Sequence, residues 1–151
     1  MDKRILVTGA GGYIGRHVVS RLCDMGANVL IINHSAEGVD PRAKRVDAEI
    51  FSGSENIYQE TGCPDVCVHL AWKDGFVHNS DAHMGMLSQH YTFLRNMMAG
   101  GLKQLAVMGT MHEVGYWEGS TKTRPAAQAV CMALPRMHCG GAAFYWHSST
   151  T

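Results

Sequence analysis

Neither sign of charge dominates this sequence, because its 13 lysine and arginine residues equal its 13 aspartate and glutamate residues. Without a basic field or a lysine-rich stripe, neither a nucleic acid nor a membrane surface is an expected partner. No apolar run is long enough to span a bilayer, and a strand pattern begins almost at once, so no signal peptide is expected. These absences predict a cytoplasmic protein.

The sequence also lacks the spacings that metal sites use. It has five cysteines, an odd number, and nine histidines, but no His-Glu-x-x-His motif and no Cys/His pattern of zinc spacing. His83 and His90, seven residues apart, could share one helix face. Solvated or singly bonded histidines are the favoured interpretation, so we expect no metal, and we expect free thiols in a reducing compartment.

Short apolar runs alternate with segments of helical period. An apolar content of 46% is sufficient for a core in a chain of 151 residues. The alternation is typical of right-handed β-α-β units, in which helices cover both faces of a parallel sheet. Strands are predicted over Arg4–Val7, Val29–Ile32, Arg45–Phe51, Val66–Leu70 and Lys103–Met108, and helices over 14–25, Ser54–Thr61 and Asp81–Ala99. The predicted fold class is α/β, a doubly wound parallel sheet of about five strands.

A glycine triplet follows the first predicted strand and precedes the first helix. In the pattern Gly9-x-x-Gly12-x-x-Gly15, the first glycine permits a tight turn, the second lets a pyrophosphate approach the backbone, and the third lets the helix pack closely. The helix N-terminus then offers unpaired N–H groups and a positive dipole to phosphate. This context predicts a dinucleotide site, and the alternative is a glycine-rich turn without a ligand.

The second strand ends without the acidic residue that commonly holds the ribose of NAD. The sequence there is Asn33-His34-Ser35. Asn33 can still form a hydrogen bond with a ribose, and the absence of a carboxylate removes the repulsion against a 2′-phosphate, which His34, Arg16 or Arg42 could attract. NAD and NADP therefore both remain candidates, with a slight preference for NADP.

Taken together, the motifs resemble those of the extended short-chain dehydrogenase/reductases, which include sugar-nucleotide epimerases, dehydratases and reductases. "VTGAGGYIG" is similar to their TGxxGxxG fingerprint, and "DVCVHLAW" is similar to their fourth strand. The resemblance extends from Lys3 to about Gly119. It implies a Rossmann fold, hydride chemistry through a nicotinamide, and a nucleotide-sugar substrate. Cofactor contacts are implied for Gly9, Gly12, Tyr13, Ile14, Gly15, Asn33 and His34.

Three further segments carry implied site residues. "DAEIF" resembles the stretch that meets the adenine, which implies contacts by Glu49 and Ile50. The end of the fourth strand implies that Leu70, Ala71 and Trp72 lie along the cofactor. "LAVMGTMHEVGY" resembles the end of the fifth strand and implies that Thr110 is the catalytic hydroxyl. The alternative for Thr110 is a threonine that caps a loop.

The sequence departs from the family where the family keeps its general acid/base pair. In this family a Tyr-x-x-x-Lys motif places both side chains on one helix face, but none of the five tyrosines has a lysine four residues later. We therefore expect this chain to be inactive in turnover. Three hypotheses follow: an enzyme of epimerase, dehydratase or reductase lineage, a dinucleotide-binding module without catalysis, and a non-functional fragment.

The composition changes after Gly119. Residues 120–151 contain no Asp, Glu, Ile or Asn, and all 13 acidic residues precede them. A shift of one base from Gly119 onward would permit Thr-Pro, Tyr-Gly and a lysine at the spacing of the missing motif. We therefore expect a truncated Rossmann domain over 1–119 and an irregular, poorly ordered, frameshifted tail over 120–151. A homodimer through the helix at Asp81–Ala99 is a further hypothesis, and simple core packing is favoured for its stripe of Met84, Leu87, Tyr91 and Leu94.

Overall fold

The structure is a computed structural model that describes residues 3–32, 37–77 and 79–109. Five strands form one parallel sheet: β1 (Arg4–Thr8), β2 (Asn28–Ile32), β3 (Lys44–Arg45), β4 (Val66–His69) and β5 (Gln104–Val107). Their order in the sheet is β3-β2-β1-β4-β5. The chain therefore leaves β1 in one direction to make β2 and β3, and returns to the other side of β1 to make β4 and β5. This is the doubly wound α/β arrangement that the sequence predicts.

The helices of the described residues are α1 (Tyr13–Asp24), α2 (Ile57–Glu60), α3 (Ala82–Gly85) and α4 (Leu87–Gly100). Helices α1 and α4 pack on opposite faces of the sheet. On one face, Val7 and Ile31 pack in a cluster with Val19 and Cys23 of α1. Successive strand side chains point to opposite faces, so His69 lies on the other face, where its ring contacts Phe93 of α4.

Strands β1 and β2 pair in register from Arg4 with Asn28 to Thr8 with Ile32. Strand β4 joins the other side of β1, with Ile5 opposite Val66. The apolar runs of β1 and β2 are largely buried, as expected for inner strands of a parallel sheet. Helix α1 ends as predicted, because Gly26 adopts φ 76° directly after the cap at Met25.

Two sequence predictions of element length are wrong. The third strand was expected over Arg45–Phe51, but β3 pairs with β2 through Lys44 and Arg45, and most of the predicted strand is loop. Its apolar residues alternate with charged ones, which matches a strand pattern, yet Ile50 is buried without joining the ladder. The helix expected over Asp81–Ala99 is interrupted at Met86, where α3 ends. Gly85, a poor helix former, precedes the interruption.

The chain divides into two compact units. The first comprises residues 1–72 and 89–106, and it contains β1 to β4, α1, α2 and most of α4. The second comprises residues 73–88 and 107–151, of which the described part includes α3. In that second unit, the buried His83 is held by a hydrogen bond of 2.8 Å between its Nε2 and the carbonyl oxygen of Val77. No helix in the described ranges has the length and apolar character required to cross a membrane.

Candidate functional site

The first glycine of the motif lies where β1 passes into its turn. Gly9 has φ 70°, a left-handed conformation that side chains of L residues rarely adopt. A Cβ atom on Gly9 would lie 2.6 Å from the Ala71 nitrogen and 2.8 Å from the Leu70 carbonyl carbon. The backbone leaving β4 therefore lies directly against this turn, and any side chain at Gly9 would separate the two.

The third glycine lets α1 begin in contact with the same turn. Gly15 is buried, and a Cβ atom there would overlap the Gly9 carbonyl oxygen and lie 2.8 Å from Cα of Ala10. The turn is closed by a hydrogen bond of 3.1 Å from the Gly12 N–H to the Gly9 carbonyl. Gly9 and Gly15 thus have the steric roles that the sequence predicts for the tight turn and for close packing.

The N-terminus of α1 has the donor set that a pyrophosphate requires. Gly12 is the N-cap, it is exposed, and it has no side chain that could occupy the first amides. The first turn carries no acidic residue. The initial N–H groups of a helix have no partner within the helix, and the helix dipole favours an anion there. Tyr13 and Ile14 begin the helix and are 71% and 48% exposed. The geometry fits a dinucleotide phosphate.

The other predicted cofactor residues follow β3 and β4. Ile50 is buried, while Glu49 is exposed and its carboxylate accepts a hydrogen bond of 3.1 Å from the Phe51 N–H. Leu70, Ala71 and Trp72 are each half-buried and continue directly from β4. Because β1 and β4 are parallel neighbours, the carboxyl ends of both strands lie at one edge of the sheet. That edge is where ligands bind in open α/β sheets.

A buried hydrogen-bond chain lies behind this edge. The Ala71 N–H donates to Thr8 Oγ1 over 3.3 Å, and Thr8 Oγ1 lies 2.7 Å from Nδ1 of His69. Nε2 of His69 is in turn 2.9 Å from Nδ1 of His90 in α4. The three residues whose side chains form these hydrogen bonds, Thr8, His69 and His90, are at most 3% exposed. Thr8 and His69 are not among the site residues that the sequence predicts, and His90 is predicted only as a candidate metal ligand. The contact between His69 and His90, 21 positions apart, depends on how α4 packs.

Charged side chains from the end of α1 and from the loop between β2 and β3 form a cluster. Arg42 makes ion pairs of 2.7 Å with both Asp24 and Asp40. Hydrogen bonds from the side chain and backbone of Arg42 lower the pKa of Asp40 to about 2. Side-chain hydrogen bonds to Asp40 and Asp24 raise the pKa of the Arg42 guanidinium. Arg42, a candidate for binding a 2′-phosphate, is therefore engaged by two carboxylates.

Several predicted site residues lie outside the described residues. They are Asn33, His34 and Thr110. His83 and His90 belong to different helices, α3 and α4, so they do not share one helix face. Within the described ranges, no group of three or more His, Cys, Asp or Glu side chains is arranged to hold a metal. The three cysteines of those ranges, Cys23, Cys63 and Cys67, are free thiols.

Comparisons with known proteins agree with this geometry. One curated relative, the dTDP-6-deoxy-L-talose 4-dehydrogenase (NAD(+)) of Aggregatibacter actinomycetemcomitans, is 39% identical over 124 residues. That alignment covers 76% of this chain and 44% of the relative.

Solved structures share the fold at lower identity. The UDP-glucose 4-epimerase of Thermotoga maritima, solved with UDP-glucose, aligns with a TM-score of 0.77 and 18% identity, over 95% of this chain and 50% of that one. The Bordetella bronchiseptica enzyme WbmG, solved in complex with NAD, aligns with a TM-score of 0.70 and 16% identity, over 95% and 50%.

This chain thus spans about half the length of the relatives that it matches. The model of the NAD dependent epimerase/dehydratase family matches residues 5–127, which include the glycine turn and, apart from Arg4 at the start of β1, all five strands. The chain belongs to the NAD-dependent epimerase/dehydratase family.

Proposed function

We propose that this chain is the dinucleotide-binding part of an epimerase/dehydratase-family oxidoreductase. The observation that carries the proposal is the turn from Gly9 to Gly15. Its outer glycines permit a backbone path that side chains would block, and Gly12 leaves the N-terminus of α1 open to an anion. A glycine-rich turn without a ligand needs neither a bare helix cap nor a first turn free of acids.

Each remaining site residue has a role in this proposal. The α1 amides beginning at Tyr13 and Ile14 would bind the pyrophosphate, and the segment of Glu49 and Ile50 would contact the adenine. The backbone of Leu70 and Ala71, followed by Trp72, would lie along the cofactor. Asn33 and His34 would be near the adenosine ribose, and Thr110 would bind the reacting oxygen of a substrate.

We further propose that the cofactor is NAD rather than NADP. The dehydrogenase relative is named for NAD(+), and WbmG was solved with NAD. In this chain, the Arg42 guanidinium already pairs with Asp24 and Asp40, so a 2′-phosphate would have to displace one of two carboxylates. A nearby pair of carboxylates also repels a phosphate.

Turnover is a separate question from binding. When bound, a nicotinamide accepts and donates hydride, and the protein must supply a proton acceptor and donor for the sugar oxygen. The 151 residues contain no Tyr-x-x-x-Lys pair for that task. We therefore propose that this chain binds NAD without converting a nucleotide sugar, and that nucleotide-sugar chemistry belongs to a longer relative.

Calorimetric titration with NAD and NADP, combined with a turnover assay on dTDP- and UDP-sugars, tests these proposals. We expect saturable binding of one NAD per chain, weaker binding of NADP, and no NADH formation. Stronger binding of NADP would overturn the cofactor assignment. Turnover of a nucleotide sugar would overturn the inactive assignment, and an absence of binding would leave the non-functional fragment as the correct hypothesis.

We also propose that residues 120–151 arise from a shifted reading frame. The absence of acidic residues from this segment supports the proposal. Sequencing of the coding DNA across Tyr116 to Lys122 tests it. A missing or extra base in this copy would support the proposal, because the native reading frame would then encode the tyrosine and lysine. A second frame without that motif would refute it.

Self-association through α4 also remains a proposal. Tyr91 on this helix is 54% exposed, which supports an apolar contact with a second copy, whereas Leu94 is buried in its own chain. Sedimentation velocity of the wild type and of Tyr91→Ser distinguishes a monomer from a dimer. A dimer that dissociates on substitution supports the proposal, and a monomeric wild type refutes it.

A further inference from the structure

His90 of α4 contacts residues in or next to two segments of the proposed site: the Glu49–Ile50 segment, assigned to the adenine, and the Leu70–Trp72 segment, assigned to lie along the cofactor. Its ring stacks on the Trp72 indole with centroids 4.5 Å apart and an interplanar angle of 20°. Its ring also meets the Phe51 ring edge-on, with centroids 4.8 Å apart at 76°. The side chain is only 1% exposed. One imidazole therefore contacts an aromatic residue from each segment.

The two segments leave the sheet from strands that are not neighbours. Phe51 directly follows Ile50 in a loop that leaves the sheet after β3, and Trp72 directly follows Ala71 after β4. In the sheet, β3 and β4 are separated by β2 and β1. The strand ladder therefore does not fix the distance between the two loops. An aromatic residue that packs against both loops does fix it, because stacked and edge-on pairs have preferred geometries.

His90 is itself fixed by the hydrogen-bond chain behind the sheet edge. The Thr8 hydroxyl accepts a hydrogen bond from the Ala71 N–H, so its own hydrogen can be donated to Nδ1 of His69. Nε2 of His69 is hydrogen-bonded in turn to Nδ1 of His90 over 2.9 Å. Each link of this buried chain is a hydrogen bond, and buried hydrogen-bond networks hold their members rigidly.

We propose that His90 is a positioning residue for the adenine half of the dinucleotide site. Through its ring contacts it sets the spacing between the Ile50 loop and the Leu70–Trp72 segment before the ligand arrives. Preorganisation of this kind increases affinity because less ordering remains to be done on binding. This inference rests on the proposed function, and it adds a residue that does not touch the ligand.

Two substitutions separate the ring contacts from the hydrogen bond. His90→Gln keeps a hydrogen-bonding partner for His69 but removes both ring contacts. His90→Phe keeps a ring against Phe51 and Trp72 but removes the hydrogen bond to Nε2 of His69. Met97→Ala is the matched control, since Met97 is fully buried in the same helix and its Sδ accepts a hydrogen bond of 3.7 Å from Thr61 Oγ1.

The affinity for AMP and for NAD, measured by calorimetry, and the urea midpoint give independent readouts. For His90→Gln we expect both affinities to fall by the same factor, about threefold to tenfold, as the loss of aromatic pairs implies. For His90→Phe we expect affinity within about twofold of the wild type, although the loss of the hydrogen bond lowers the urea midpoint. Met97→Ala should lower the midpoint and leave both affinities unchanged.

The outcomes distinguish the inference from the function on which it rests. If the wild type binds NAD, and His90→Gln binds AMP and NAD with the same affinities as the wild type, His90 is only a packing residue and the inference is wrong. The inference is also wrong if affinity follows the urea midpoint across all three variants. If the wild type binds neither AMP nor NAD, the proposed function itself fails.

Discussion

Replacement of Gly9 by alanine tests how tightly the turn and the β4 exit are packed. The matched control is Gly26→Ala, because Gly26 also has a positive φ of 76° but has no atom within 4 Å of its Cβ position. The left-handed conformation costs an L residue about 1–2 kcal/mol. Part of this cost is offset, by about 0.4–1 kcal/mol, because alanine reduces the entropy of the unfolded chain. We therefore expect Gly26→Ala to lower the free energy of unfolding by about 1 kcal/mol.

Gly9→Ala adds a backbone collision to the same conformational cost. Its methyl group would lie 2.6 Å from the Ala71 nitrogen, and that atom cannot move without displacing the Leu70–Trp72 segment. Overpacking of this kind costs about 1–3 kcal/mol, so we expect a total loss of about 2–4 kcal/mol.

Urea unfolding followed by circular dichroism measures both losses by linear extrapolation. Equal losses for Gly9→Ala and Gly26→Ala would show that the turn and the β4 exit are not in contact, and the description of the site would then be wrong.

Two further substitutions test the surroundings of the site. Asn96→Ala removes a buried amide that donates to the carbonyls of Ser54 at 2.9 Å and Gly53 at 3.4 Å. We therefore expect the free energy of unfolding, measured by urea titration, to fall by about 1–3 kcal/mol. An unchanged urea midpoint would show that water replaces these bonds. Asp40→Asn removes the carboxylate that pairs with Arg42. Because the folded pKa of Asp40 is about 2, below its value in the unfolded chain, its stabilising contribution is present at neutral pH and is lost as the pH falls from about 4 to about 2. The difference in urea midpoint between wild type and Asp40→Asn should disappear over that interval, and a difference independent of pH would refute the assignment.

The framework of the fold could be predicted from local patterns. The run Arg4–Thr8 forms a strand with its last three residues buried, and a helix follows the glycines as the periodicity indicates. The end of α1 was predictable because a glycine at Gly26 is the usual solution for a left-handed residue after a helix. These features depend on residues that are close together in the sequence.

Features that depend on distant contacts could not be predicted in the same way. The segment Arg45–Phe51 alternates like a strand, but its pairing depends on where β2 ends, so β3 contains just Lys44 and Arg45. The hydrogen bond between His69 and His90 joins a strand to a helix across the sheet face, and no spacing in the sequence indicates it. Gly85 is a local signal for the interruption of the helix at Met86. The helical period of the surrounding residues nevertheless favours one continuous helix.

The central claim is that this chain binds a dinucleotide at the N-terminus of α1. Calorimetric titration of NAD into the wild type and into Gly12→Ala tests it most directly. Gly12 has φ −70°, which alanine adopts without strain, and its Cβ position lies 3.2 Å from the Gly9 carbonyl oxygen, so we expect the variant to fold with a small adjustment. Its methyl group would occupy the space through which the pyrophosphate approaches, so NAD should bind the wild type and bind the variant at least about tenfold more weakly. Equal binding by the two proteins, or no binding by the wild type, would contradict the account.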